Sequence, residues 1–375
     1  MRLAQVAAAA ASPLACSDSA YGPPPTDPVS VLACPSLPLS PIDLTTPPAT
    51  LGATGFYCDA AQLTLAPGVV QFRPRFELWS DGAAKTRWIS LPPGAQIDVS
   101  DPDHWSFPVG TRFWKEFQYE GRRVETRFIA RFGAGPDDFL FAAYRWDADG
   151  TTATLAPASG VADAAPITTD PNGPQHDIPS TSDCATCHGK LPEHILGFGA
   201  IQLSHSLGGL TLTDLVQQQL VTSGLSAAGY PVPGDATAQA ALGYLHANCS
   251  HCHNDTPTGV TYPRYMLRLK VADAAVEATH AYETAVNVLH TWLAAPEGVG
   301  PYRIQGGDAD DSELYYRTGV RVAGEQMPPI ATKLVDHEGR AALKTWIDGL
   351  PSPVADGLPS PITDGLPSPV VAATP

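Results

Sequence analysis

The stretch Ala236-Thr237-Ala238-Gln239-Ala240-Ala241-Leu242-Gly243-Tyr244-Leu245-His246-Ala247-Asn248-Cys249-Ser250-His251-Cys252-His253 joins two signals. Ala241, Leu242 and Leu245 recur at helical spacing, so residues 236–248 read as a helix. That helix runs directly into a Cys-x-x-Cys-His run, and a second copy, Cys184-Ala185-Thr186-Cys187-His188, lies upstream. In this pattern the two thiols bond to the vinyl groups of a haem and the His supplies the proximal iron ligand. The rival reading is a single zinc site made from the four cysteines. Zinc does not require a His after each pair. With 11 His in 375 residues, finding one at both places by chance has a probability of about 0.001. Cys184, Cys187, His188, Cys249, Cys252 and His253 are therefore expected to hold two haem c groups.

Working outward, Glu338 to Leu350 presents Leu343, Trp346, Ile347 and Leu350 on one face, with Gly349 and Pro351 as stop signals. Helix, attachment motif, loops and closing helix follow the plan of a small cytochrome c domain over residues 231–350. Met327 stands in Glu325-Gln326-Met327-Pro328-Pro329, 74 residues after His253, and the other methionines are Met1 and Met266. It is expected to be the sixth ligand of the second iron, which raises the reduction potential and closes the site. No local motif names a sixth ligand for the first iron. His176, His194, His205 and Met266 are the candidates, and an open position would permit small-molecule chemistry. His246 and His251 read as surface or propionate-side residues.

The chain before the first motif has a different character. In Arg123-Val124-Glu125-Thr126-Arg127-Phe128-Ile129-Ala130-Arg131-Phe132, even positions are mostly apolar and odd ones mostly charged, the pattern of a half-buried strand. Arg87-Trp88-Ile89, Arg112-Phe113-Trp114 and Phe139-Leu140-Phe141 have the same chemistry. Leu91-Pro92-Pro93-Gly94, Pro108-Val109-Gly110 and Asp149-Gly150 supply turns between them. Residues 70–165 are expected to form an antiparallel β sandwich or barrel, with 166–230 as the first haem segment, giving an α+β fold. Asp147-Ala148-Asp149-Gly150 resembles the start of a calcium loop, but no Glu stands at the twelfth position, so a turn is expected.

The ends are rich in proline. Residues 1–16 read as a short secretory signal ending at Cys16, a candidate for lipidation, and 17–69 as a Pro-rich tether. An octapeptide beginning Asp-Gly-Leu-Pro-Ser-Pro recurs at Asp348, Asp356 and Asp364, making 351–375 a Pro-rich repeat tail. Haem c attachment takes place outside the bacterial cytoplasm, where Cys34 and Cys58 can pair as a disulfide. The chain is expected at the periplasm or outer cell surface, with a possible lipid anchor and no transmembrane span. A net charge of −16 argues against nucleic acid and suits a redox partner with a basic docking face. Residues 70–145 net about +1, whereas 146–230, which hold the first motif, net about −7. Oligomeric state is not legible.

Phe76-Glu77-Leu78-Trp79-Ser80-Asp81-Gly82-Ala83-Ala84-Lys85-Thr86-Arg87-Trp88-Ile89-Ser90-Leu91-Pro92, Trp105-Ser106-Phe107-Pro108-Val109-Gly110-Thr111 and Asn248-Cys249-Ser250-His251-Cys252-His253-Asn254 together resemble a family of exported bacterial dihaem c-type cytochromes. The resemblance covers about residues 70–350. It implies a β-rich region before a dihaem region and an axial role for Met327. Phe107 to Thr111 with Lys115-Glu116-Phe117 is also similar to the cytochrome P460 type, whose haem is cross-linked to a Lys; the ordinary reading of Lys115 is a surface strand lysine. The leading expectation is electron transfer between two haems and a partner. The alternatives are a haem enzyme, either a dihaem peroxidase or a P460-like oxidase with an open first haem, and a structural or assembly-forming cytochrome whose Trp and Phe side chains make the contacts.

Overall fold

The computed structural model describes residues 44–353 apart from 62, 169, 171, 258, 260–264 and 291–297. The signal segment, Cys16, Cys34 and the repeat tail from residue 354 onward lie outside these.

The expected α+β architecture is present. Two short ribbons, β1 (Tyr57–Asp59) with β2 (Thr64–Leu65) and β9 (Val161–Pro166) with β10 (Gln175–Ile178), flank a six-stranded sheet. That sheet runs in chain order through β3 (Val70–Phe72), β4 (Ala84–Ser90), β5 (Arg112–Tyr119), β6 (Arg122–Arg131), β7 (Phe139–Trp146) and β8 (Ala153–Leu155), every pair antiparallel. It is a meander rather than the sandwich or barrel expected from the strand pattern. The helical region supplies α1 (Thr181–His188), α2 (Ala200–Leu203), α3 (Leu212–Gln217), α4 (Ala236–Asn248), α5 (His280–Ala285), α6 (Glu313–Gly319) and α7 (His337–Asp348). α4 and α7 match their expected spans closely, because each begins on an Asp side chain that accepts from a first-turn N–H.

The register explains why one sheet suffices. Trp88, Trp114, Phe128 and Ala142 stand directly opposite one another across β4–β7 and pack on Leu44, Leu51 and Phe56. Leu44, Leu51 and Phe56, within the segment expected as tether, are thus core residues. The opposite face carries Ile89, Phe113, Ile129 and Phe141 in register, and these pack on Ile195, Phe198, Leu203 and Leu212. Elements downstream of the sheet cover the face that a second sheet would cover in a sandwich. A third core joins α4, α6 and α7 through Leu242, Leu245, Leu314, Leu343, Trp346 and Ile347. The aromatic residues proposed as partner contacts are in these interiors: Trp105, Phe107, Trp114, Phe128 and Trp146 are all buried.

Asp147 to Gly150 is the tight turn between β7 and β8, with Asp147 accepting from Thr151 and Thr152. Among the described residues no helix is long and apolar enough to cross a membrane.

Candidate haem-attachment site

α1 exists to present the first motif. It is eight residues long and its apolar face is weak, so its start depends on capping: Ser180 accepts from Asp183 N and Asp183 accepts from Ser180 N, a reciprocal box. Cys184 and Cys187 lie within α1 and His188 ends it. The second motif follows the C-terminus of α4, with Cys249 as its C-cap.

The fold brings the two motifs together. Cys187 and Cys252 interact thiol to thiol: this contact, with burial, pushes Cys187 up to about 12, while it draws Cys252 down. His251 also interacts with Cys187. The buried Asn254 amide donates to Ser250 and His251 carbonyls at 2.9 and 3.1 Å, and its oxygen accepts from Thr256. Thr256 Oγ1 in turn donates to Lys190 O at 2.9 Å, two residues beyond the first motif.

Each motif histidine is prepared in the same way. His188 Nδ1 lies 2.7 Å from His194 O and His253 Nδ1 lies 3.3 Å from Tyr265 O. A carbonyl can only accept, so Nδ1 carries the proton and Nε2 keeps its lone pair. Burial holds both rings neutral, driving His188 down to about 3 and His253 down to about 4. An imidazole whose Nδ1–H is fixed on a backbone carbonyl is the usual form of a metal-ligating histidine. All four motif cysteines are free thiols. This donor set, two thiols and one oriented neutral imidazole per motif, fits covalent haem at both places. Among the described residues no three His, Cys, Asp or Glu converge to hold a bare metal ion, as the zinc reading would need.

Most candidates for the first iron's sixth ligand are committed elsewhere. His176 has Nε2 at 2.9 Å from Glu125 and Nδ1 at 3.2 Å from Tyr119 Oη. His205 uses Nε2 on Arg73 O at 2.6 Å and accepts from Leu207 N at Nδ1. His194 adopts a left-handed φ of 54°, and its carbonyl holds the back of His188. The His194 ring donates from Nε2 to Pro136 O at 3.0 Å, and its Nδ1 has no hydrogen-bond partner among the described residues. Met266 sits in the segment that flanks the second motif, where Tyr265 O faces His253 and Leu267 N donates to His253 O.

Met327 is half-buried and its N–H donates to Arg317 O on α6. Arg317 pairs with Glu313 at 2.8 Å, and Glu313 acts electrostatically on His253. Met327 is therefore tied to α6 through its backbone. The Trp79–Asp81 stretch secures that loop: Asp81 accepts from Lys333 N and Leu334 N at 2.9 and 2.8 Å, and Trp79 Nε1 donates to Leu334 O at 3.0 Å. Trp79 N also donates to Asn248 Oδ1 at 2.7 Å, one residue before Cys249.

A cationic row near the first motif was not legible in the sequence. Arg87, Lys115 and Arg127 stand directly opposite one another on β4, β5 and β6, and Lys115 and Arg127 act electrostatically on His188. Lys115 is not a surface strand lysine; it is half-buried and lines a cavity enclosing about 710 Å³ of empty space, part of it open to solvent. His246 and His251 border the same cavity and are not surface residues. His251 is 6% exposed, and His246 Nδ1 accepts from Leu269 N at 3.1 Å. Alternation gave the charged face of β6 correctly, but could not say that protein covers it. Cys58 is disulfide-bonded, and Cys34, its expected partner, lies outside the described residues. No family model, curated protein or solved structure matches the chain, so its resemblance to exported dihaem cytochromes rests on the quoted residues alone.

Proposed function

We propose that the chain is an electron-transfer protein holding one haem c at Cys184, Cys187 and His188 and another at Cys249, Cys252 and His253. The observation that carries this reading is the meeting of two Cys-x-x-Cys-His motifs at Cys187 and Cys252, each with its histidine Nε2 turned free by a carbonyl on Nδ1. When bound, the haem iron supplies reversible one-electron chemistry. The chain's own residues orient the imidazoles, exclude water from them and set the two attachment points side by side. The second site is completed by Met327. A disulfide at Cys58 accords with export, and the net charge of −16 with a basic partner.

A haem enzyme is the second reading, favoured by the commitments of His176 and His205 and by the cavity lined by Lys115, His246 and His251. The test separates the two. Intact mass and the alkaline pyridine spectrum count covalent haem, and EPR with a redox titration reads coordination. Two haems, both six-coordinate and low-spin, with no turnover of peroxide or hydroxylamine, support the carrier. A high-spin first haem with turnover supports the enzyme, and a chain purified from a haem c-competent host without haem overturns both.

A further inference from the structure

Like charges directly opposite on neighbouring strands destabilise a sheet, yet β4, β5 and β6 put Arg87, Lys115 and Arg127 in one row, with Lys85 two residues before Arg87 on the same strand. Two carboxylates answer them at close range. Glu77 lies 3.6 Å from Lys85 and 3.8 Å from Arg87, and Glu125 lies 2.8 Å from Arg127. Lys115, in the middle, has no carboxylate within ion-pair distance among the described residues. Its neighbour is the Phe117 ring, 4.8 Å from Nζ, which it shares with Arg127 at 4.4 Å. A cation over an aromatic face gains about 0.5–2 kcal/mol, too little to offset burial beside two guanidinium groups. Burial first, then Arg87, Arg127 and Lys85, push Lys115 well below the usual lysine range. The cavity it lines also holds Glu193 and Asp103, but these are engaged: Glu193 with His104 and Arg268, and Asp103 with Val271 N.

We propose that Arg87 and Lys115, with Arg127 next in the row, form a seat for a carboxylate or oxyanion in the cavity that Arg87 and Lys115 line. Such an anion would supply the close carboxylate or oxyanion that Lys115 lacks among the described residues. This rests on the haem reading only for one of its two sources, since each haem c carries two propionates, whereas a small oxyanion could arrive from solution.

The test uses reduced holoprotein labelled with [13Cε]lysine, with the Lys115 signal assigned by its loss in Lys115→Arg. If a propionate occupies the seat, Lys115 titrates in or above the ordinary lysine range and added sulfate changes nothing; Lys115→Gln then lowers one haem midpoint potential while Lys115→Arg restores it. If a free oxyanion is the occupant, Lys115 titrates low and rises saturably with sulfate. Lys115 titrating well below the ordinary range both with and without sulfate overturns the proposal. Haem is counted separately, so a haem-free chain would sink the electron-transfer reading while the sulfate titration still decides the seat.

Discussion

Single residues at this site carry charge states that depend on neighbours far away in sequence. Burial alone would raise Glu125, but Arg127 and the hydrogen bond to His176 outweigh it and hold the carboxyl below its ordinary range. Glu125→Ala strands Arg127 and His176 in the interior and should cost about 3–5 kcal/mol in denaturant unfolding. Because the folded carboxyl is depressed, its stabilisation is present above the unfolded carboxylate pKa and fades as pH falls through the folded one. His246 has the complementary behaviour. Burial, then Arg268, lowers it to about 3. Between about 6.5 and that value the unfolded chain takes up a proton that the folded chain refuses. Stability should therefore drop on acidification through this window, and His246→Asn, which can still accept from Leu269 N, should flatten the decline in pH-dependent thermal melts. At this scale the sequence identified the motif cysteines and histidines, whose chemistry is local. It could not identify the row at Lys115, because that row exists only once three strands are in register.

Elements position the site through short polar anchors. α1 has little apolar face, so the Ser180–Asp183 box is its main start signal. Ser180→Ala should cost about 1 kcal/mol and should lower the yield of covalently attached haem at Cys184 and Cys187 more than at Cys249 and Cys252, as read by peptide mass mapping. Asp81 does comparable work for the Met327 loop by accepting two backbone N–H groups. Leaving both without a partner in Asp81→Ala should destabilise the loop by about 1–3 kcal/mol and weaken the His/Met spectroscopic signature of the second haem. Helix spans were legible in sequence because caps and 3.6-residue periodicity are written locally. The role of Trp79 and Asp81 was not, since their partners Asn248, Lys333 and Leu334 lie at least 169 residues away.

The molecule as a whole is held around the junction between sheet and helices. Gly243 on α4 faces Phe76, and a Cβ there would collide with the ring. Gly243→Ala should thus destabilise the protein by about 1–3 kcal/mol through overpacking, with calorimetry as the check. The meeting of Cys187 with Cys252 places the two attachment points in contact. In the holoprotein the two haems should show magnetic or excitonic coupling, measured by EPR and Soret circular dichroism; two independent spectra would remove direct exchange between them.

Sequence by itself determined the α+β division, the strand segments within β4 to β7, the helices α4 and α7 and the two Cys-x-x-Cys-His runs, because periodicity, capping and motif spacing are properties of neighbouring residues. It also placed the first motif in the most acidic stretch, and there linear charge misled. Tertiary structure decided that residues 87, 115 and 127 form a cationic row, of which Lys115 and Arg127 act electrostatically on His188, and that protein covers the face which alternation left open to solvent. Charge acts through space over a few ångströms, so the electrostatic character of the site follows from strand register and packing rather than from the composition of the segment that carries the motif.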